Sequence, residues 1–339
     1  MSESLAVKYR PSEYADVCSQ ESIIKILERQ SSTGQFSNCY LFAGASGCGK
    51  TTVARIFANK INGGAGDPIE IDGASNNGVD NVKTIIQNAN QRAIGCKYKV
   101  YIIDECHSLT SQAWQAFLKC IEEPPKYTVF IFCTTNPNKI PDTILNRVQR
   151  FNFTRIKTDV IAQRLSYICK CEGYTNYEDS VDFISRISDG GMRTAISYLE
   201  TVASYGTDLS LDNALSALGN YSYKNLFSLL YFMMIKDNKK VLNVTSEFYN
   251  DGRDFKLFVD LFLGFCLDVT KYVIFRDFST TKLPNSTQKS LDFICNVEGA
   301  LAKLNHYLDK LLELKTMIKN DTEVKSTVEI MILQMAKEV

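Results

Sequence analysis

Eight residues constrain this chain more than any others: Gly44-Ala45-Ser46-Gly47-Cys48-Gly49-Lys50-Thr51. They fit G-x-x-x-x-G-K-[ST], a loop whose glycines let the backbone curl until several N–H groups point into one space. Lys50 supplies a point charge for β- and γ-phosphates, and the Thr51 hydroxyl is a ligand for Mg²⁺. Average residue usage would produce such a match by chance in about one per cent of chains this long, so the flanks must decide between a phosphate loop and a Gly-rich turn. Cys39–Ala43 reads as a buried strand entering the loop, and Thr52–Ala58 as a helix leaving it. That order sets phosphates on a helix N-terminus. A second apolar strand, Val100–Ile103, ends in Asp104-Glu105. Alone this is a weak signal. Beside a phosphate loop it places Asp104 to hold Mg²⁺, through water, and Glu105 to polarise an attacking water.

Alternation of strands and amphipathic helices continues to about residue 155. Candidate strands are 40–43, 69–71, 100–103, 129–134 and 150–153, which predicts an α/β parallel sheet covered on both faces. Strand signals then fade. Residues 160–171, 180–187 and 192–205 read as helices, with Asp189-Gly190-Gly191 as a stop. Farther on, Leu301, Leu304, Leu308, Leu311, Leu312 and Met317 recur at steps of about three and four and read as one apolar packing stripe. The expected division is an α/β nucleotide-binding domain over 1–155, a small helical lid over 156–219 and an all-α domain over 220–339.

Composition excludes several classes. The chain has 339 residues, 45% of them hydrophobic, and a formal net charge of 0, so nucleic acid would have to be met by a local patch or backbone amides. Its 11 cysteines include no C-x-x-C pair, and there are only 2 histidines. The expectation is reduced thiols, no structural zinc and a cytoplasmic location. The opening residues do not read as a signal peptide, and Leu226–Ile235 is too short an apolar run to span a bilayer.

Taken together the motifs resemble the AAA+ sliding-clamp loader ATPases, and within them the bacterial DNA polymerase III gamma/tau subunit. The likeness runs from about Ala6 to Gly219. It is carried by Val7-Lys8-Tyr9-Arg10-Pro11, the phosphate loop, Asp104-Glu105-Cys106-His107, Glu122-Glu123-Pro124-Pro125, Thr134-Thr135-Asn136-Pro137, Ile144-Leu145-Asn146-Arg147 and Gly191-Met192-Arg193. The resemblance implies a P-loop domain, a sensor-2 lid and a C-terminal helical collar. It implies that Ala6, Val7, Arg10, Pro11 and Val17 line the adenine and ribose pocket. Gly44, Gly47, Cys48, Gly49, Lys50, Thr51, Thr52, Met192 and Arg193 would bind the rest of ATP, with Mg²⁺ on Thr51 and Asp104. Thr135 and Asn136 match sensor 1, and Arg193 matches sensor 2. Arg147 stands where the family supplies an arginine finger to the neighbouring subunit, although Asn146-Arg147-Val148 replaces Ser-Arg-Cys. Arg150 is nearby but out of register. The implied partners are other loader subunits in a ring, a pentamer by analogy, with a sliding clamp and primer–template DNA. Ser75, Asn76, Asn77 and Lys83 are the candidate DNA contacts, and 91–94 the candidate clamp contact. No membrane is implied.

The four-cysteine zinc module of the bacterial subunit has no counterpart, because a short Gly-rich turn follows Asn62. The chain also ends where the collar should end. Short and zinc-free, it fits a divergent or phage-encoded loader in a bacterial or phage-infected cell. Two other functions compete. A non-hydrolysing stator subunit would be free to lose Lys50, Thr51, Asp104 and Glu105, all of which are present. A AAA+ helicase or remodelling motor would share the phosphate loop, but Glu122-Glu123-Pro124-Pro125 and Lys8-Tyr9-Arg10-Pro11 favour the loader.

Overall fold

The computed structural model describes residues 3–93, 95–218, 223–250, 255–281, 283, 287–318 and 323–338. In chain order the first elements are α1 (Leu5–Lys8), α2 (Glu21–Thr33), β1 (Cys39–Ala43), α3 (Lys50–Ile61), β2 (Ile69–Asp72), α4 (Val79–Ala89) and β3 (Lys99–Asp104). Then come α5 (Ser111–Glu122), β4 (Thr128–Thr134), α6 (Asp142–Leu145), β5 (Gln149–Asn152), α7 (Thr158–Glu172), α8 (Glu178–Ile187), α9 (Met192–Ala203) and α10 (Leu211–Ala217). The remainder is helical: α11 (Tyr223–Met234), α12 (Asn238–Asn250), α13 (Phe255–Phe275), α14 (Gln288–Cys295), α15 (Ala300–Met317) and α16 (Val324–Glu338). Two compact units result, Met1–Ile168 with Ser188–Glu200, and Cys169–Ile187 with Thr201–Val339. The expected boundary at 219/220 lies outside the described residues, as does Ile94 of the expected clamp contact.

The first unit is built on a five-stranded parallel sheet of order β2-β3-β4-β1-β5. β4, Thr-Val-Phe-Ile-Phe-Cys-Thr, is buried throughout, as expected of a central parallel strand covered on both faces. Alternation sorts its side chains. Val129, Ile131 and Cys133 join Tyr40, Phe42, Phe57 and Phe151 on one face. Phe130 and Phe132 join Tyr101, Trp114 and Phe117 on the other. Ala43 pairs with Thr134 and Asp72 with Asp104, so the loops after β1, β3 and β4 leave from one edge of the sheet. In open α/β sheets that carboxyl edge, where strand order reverses, is where ligands bind.

The second unit has a helical core in which Phe258, Phe262, Leu304, Tyr307, Leu311, Leu314 and Ile332 pack as one cluster. Here the expected stripe is corrected. Leu304 and Leu311 are buried, but Leu301, Leu312 and Met317 are exposed. The buried face of α15 is completed instead by Tyr307 and Leu314, which lie three residues from Leu304 and Leu311. No described helix is long and apolar enough to cross a membrane. All cysteines are free thiols; seven are buried and only Cys171 is exposed.

Candidate functional site

The loop between β1 and α3 is shaped by glycines with specific duties. A Cβ on Gly44 would lie 2.5 Å from the Phe153 carbonyl oxygen, so only hydrogen fits there. Gly47 sits at φ +72°, in the left-handed region, and a Cβ there would press on Gly191 Cα at 3.2 Å. At the same place the Met192 N–H donates to the Gly47 carbonyl at 3.0 Å, joining the start of α9 to the loop. Lys50 opens α3 with its side chain buried, and its ammonium donates to the Gly44 and Ala45 carbonyls at 2.9 Å each.

Across the sheet edge, Thr51 Oγ1 donates to Asp104 Oδ2 at 2.8 Å, bringing together the two expected Mg²⁺ ligands. The Glu105 N–H donates to the other Asp104 oxygen at 2.9 Å. Glu105 itself has φ 47°, an uncommon conformation for a residue with a Cβ. Its Oε2 accepts from Thr135 Oγ1 at 3.0 Å and lies 3.1 Å from His107 Nδ1. His107 Nδ1 is also 3.2 Å from Thr134 Oγ1, which accepts from the Asn136 N–H at 3.0 Å. Asn136 thus enters through its backbone, while the Thr135 hydroxyl touches the carboxylate directly.

A cavity opens in front of this edge. Ser46 to Thr52, Asp104 and Glu105 form its floor, and Ala6, Arg10, Pro11 and Val17 one wall; Met192 and Arg193 close another. Val7 lies outside that lining and is exposed. Tyr9, Cys18, Ile156, Arg164 and Ile196 line the cavity too and were not singled out from sequence. The only available hint for Tyr9 and Cys18 was their position beside expected lining residues. Arg164 and Ile196 come from helices that only the fold brings here. Arg164 Nη2 donates to the Tyr9 carbonyl at 3.0 Å, which secures that wall.

The electrostatics favour an anion. Burial lowers the pKa of the Arg10 guanidinium, Arg55 and Arg193 repel it, and Glu70 partly offsets both. Among the described residues neither Arg10 nor Arg193 has a carboxylate within ion-pairing distance, whereas Arg55 is paired with Glu70 at 2.5 Å. Unpaired guanidinium groups at a cleft with buried Lys50 call for negative charge. Burial also pushes the Cys48 thiol up, against the pull of Lys50, so Cys48 is a packing residue and not a reactive thiolate.

Other candidates lie apart from this cavity. Arg147 is outside its lining and is bonded within its own unit, to Glu122 and to the Thr143 carbonyl. In the loop after β2, Ser75 Oγ donates to Asp72 Oδ2 at 2.7 Å and Asn76 Nδ2 to the Asp72 carbonyl at 3.1 Å. The Asn77 carbonyl accepts from the Thr110 N–H, and Lys83 pairs with Asp80 at 3.4 Å. Ser75 and Asn76 thus hold the loop on itself, Asn77 ties it to the start of α5, and Lys83 pairs within α4. Among the described residues no group of three or more His, Cys, Asp or Glu is placed to hold a metal ion.

Comparison with known proteins agrees with the motifs. A family model described as DNA polymerase III, delta subunit, matches residues 67–157. The solved Thermotoga maritima RuvB Holliday junction branch migration motor matches with a TM-score of 0.52 at 18% identity, over 67% of this chain and 79% of that one. That likeness is one of fold alone. DNA polymerase III subunit tau of Bacillus subtilis is 38% identical over 76% of this chain and 50% of its own length. Subunit gamma/tau of Mycoplasma genitalium is 32% identical over 86% of this chain and 52% of its own. The chain thus spans about half the length of these curated relatives. DNA polymerase III subunit gamma of Buchnera aphidicola subsp. Schizaphis graminum is 31% identical over 74% of this chain and 76% of its own length. A phosphate loop, an Asp-Glu strand end and this shared length together show that the chain belongs to the DNA polymerase III gamma/tau subunit family.

Proposed function

We propose that the chain is an ATPase subunit of a DNA sliding-clamp loader. The observation that carries this reading is the cavity where Lys50, Thr51, Asp104 and Glu105 converge beside two guanidinium groups without carboxylate partners. The loop amides and Lys50 would hold the β- and γ-phosphates. Ala6, Arg10, Pro11 and Val17 would line the base and ribose. Mg²⁺ fits Thr51 and Asp104, whose oxygens already lie 2.8 Å apart, and when bound it neutralises charge on the phosphates. Glu105 would take a proton from the attacking water, oriented by Thr135 and His107. Arg193 would move with α9 and report the state of the phosphates.

In this reading residues 1–155 bind nucleotide, 156–219 form the lid and 220–339 the collar. Arg147 would complete the ATP site of a neighbouring subunit in a ring, a pentamer by analogy. ATP binding would close the subunits around an open clamp and primer–template DNA; hydrolysis would release the clamp. DNA contacts would be to phosphates, since a loader must accept any sequence. The loop at 75–77 and Lys83 are the candidate contacts, and they would have to exchange their present internal bonds for phosphate oxygens.

The test measures ATP hydrolysis with and without primer–template DNA, partner subunits and clamp. Stimulation by DNA and clamp that Arg147→Ala removes, with ATP affinity kept, is the expected result. Hydrolysis indifferent to DNA, clamp and Arg147 would assign the chain another AAA+ task. Tight ATP binding without hydrolysis in any assembly would make it a stator.

A further inference from the structure

Glu122 is the last residue of α5, followed directly by Glu123-Pro124-Pro125. A carboxylate in the final turn faces the negative end of its own helix dipole, so α5 alone gives it no reason to be there. Its partner is Arg147, whose Nη2 lies 2.7 Å from Glu122 Oε1. The other terminal nitrogen, Nη1, donates to the Thr143 carbonyl at 2.7 Å. Thr143 belongs to α6, so the Arg147 side chain folds back along the helix that precedes it. Both anchors adjoin buried residues. Ile121, next to Glu122, and Ile144, next to Thr143, are buried in one hydrophobic cluster. The two nitrogens that a finger presents to a phosphoryl group are therefore both bonded within the subunit that owns them.

We infer that Glu122 is a positioning residue that stores the Arg147 guanidinium against its own subunit until a neighbour's nucleotide draws it out. The inference rests on the reading of Arg147 as a finger acting in trans. The side chains of Arg147 and Glu122 are 39% and 41% exposed, which places their attraction among ordinary surface ion pairs. A triphosphate carries more charge than one carboxylate and accepts from both terminal nitrogens at once, so it displaces Glu122 without a large barrier. Before that exchange, the pair and the carbonyl bond keep the finger short of its target and suppress hydrolysis at a loosely closed interface. The store is weak by construction, and removing it changes a rate by a small factor.

The experiment uses the chain assembled with its partner subunits, measuring steady-state ATP hydrolysis with and without primer–template DNA. Glu122→Ala is expected to raise the DNA-independent kcat about two- to fivefold and to leave the KM for ATP unchanged. The ratio of DNA-stimulated to basal rate narrows accordingly. Glu122→Gln keeps an acceptor without the charge and falls between Glu122→Ala and wild type. In the Arg147→Ala background, Glu122→Ala has no further effect. A lower kcat in Glu122→Ala, or an effect that persists without Arg147, overturns the inference. So does a wild-type rate in Glu122→Ala when Arg147→Ala is inactive, and that result leaves the finger reading standing. Unaltered hydrolysis in Arg147→Ala overturns the finger and the store together.

Discussion

The sheet-based unit and the helical unit both rest on aromatic-rich cores, yet the long-range polar bonds of each do different work. In the sheet-based unit, polar groups join segments far apart in sequence. Thr51 meets Asp104, Thr135 meets Glu105, and Gln20 Nε2 donates to the Thr154 carbonyl at 2.7 Å. Among the helices, the buried Thr245 and Thr270 donate to carbonyls four residues back, while remote bonds fasten one segment to another: Arg186 Nη1 donates to the Thr281 and Leu283 carbonyls at 3.1 and 2.8 Å, and Tyr272 Oη to Asp292 Oδ1 at 2.8 Å. Directional bonds between remote segments set angles and distances that packing alone leaves loose; in the helical unit they are dispersed, whereas in the sheet-based unit they gather at the carboxyl edge of the strands. The difference locates the chemistry: a cleft that must place oxygens and cations to a fraction of an ångström is made where long-range polar bonds converge on one edge of a sheet.

The strongest challenge to this contrast is Glu105→Gln. Loss of a general base is expected to lower kcat about 10²- to 10⁴-fold with ATP affinity kept, read by steady-state hydrolysis and nucleotide titration. A melting temperature that falls as far as a core variant's would instead make Glu105 a structural residue. In the helical core, Phe262→Ala should destabilise the protein by about 3–5 kcal/mol in urea unfolding, because Phe262 is fully buried against Phe258 and Phe265. ATP affinity of the folded variant should match wild type; a parallel loss of affinity would break the division of labour. Within the sheet-based unit a purely structural polar bond should matter less. Thr110 caps α5 by accepting from the Ala113 N–H at 3.2 Å, and Thr110→Ala should lower stability by about 1 kcal/mol.

The smallest effect concerns acid. The Ser75 hydroxyl and the Ala74 N–H hold the Asp72 carboxyl below its ordinary value. A depressed carboxyl favours the folded state above its unfolded pKa, and that contribution disappears as pH falls through the folded pKa. Ser75→Ala should move the Asp72 titration, followed by carboxyl carbon NMR, back toward the ordinary range. An unmoved titration would show that the loop is held by something other than this bond.

How far these features were legible in sequence follows the same contrast. All five expected strands overlap observed ones; β1, β3 and β4 carry the local signal of an apolar run, whereas β2 and β5 are short and largely polar. The phosphate loop was legible because its chemistry sits in consecutive residues. The approach of His107 to Thr134 was not, because it depends on β3 and β4 being neighbours in register. Nor was the pairing of Glu122 with Arg147, which needs the end of α5 to meet the second residue after α6. Arg164 and Ile196 were invisible for a related reason: nothing in α7 or α9 marks which face turns to the cavity. On α15 the leucines read as one stripe, but at 3.6 residues per turn Leu304, Tyr307, Leu311 and Leu314 share the buried face and Leu312 falls off it.

The joint between Gly47 and Met192 carries a consequence for reading relatives of this chain. Its hydrogen bond runs from one backbone group to another, and its close approach involves two residues without side chains. No substitution on either side can be compensated by a matching substitution on the other. In an alignment such a connection would leave no covarying pair, only two positions each held at glycine for reasons that look independent. Methods that infer contacts from correlated change would pass over a link between the phosphate loop and the helix that begins at Met192, although the two are joined by a 3.0 Å hydrogen bond.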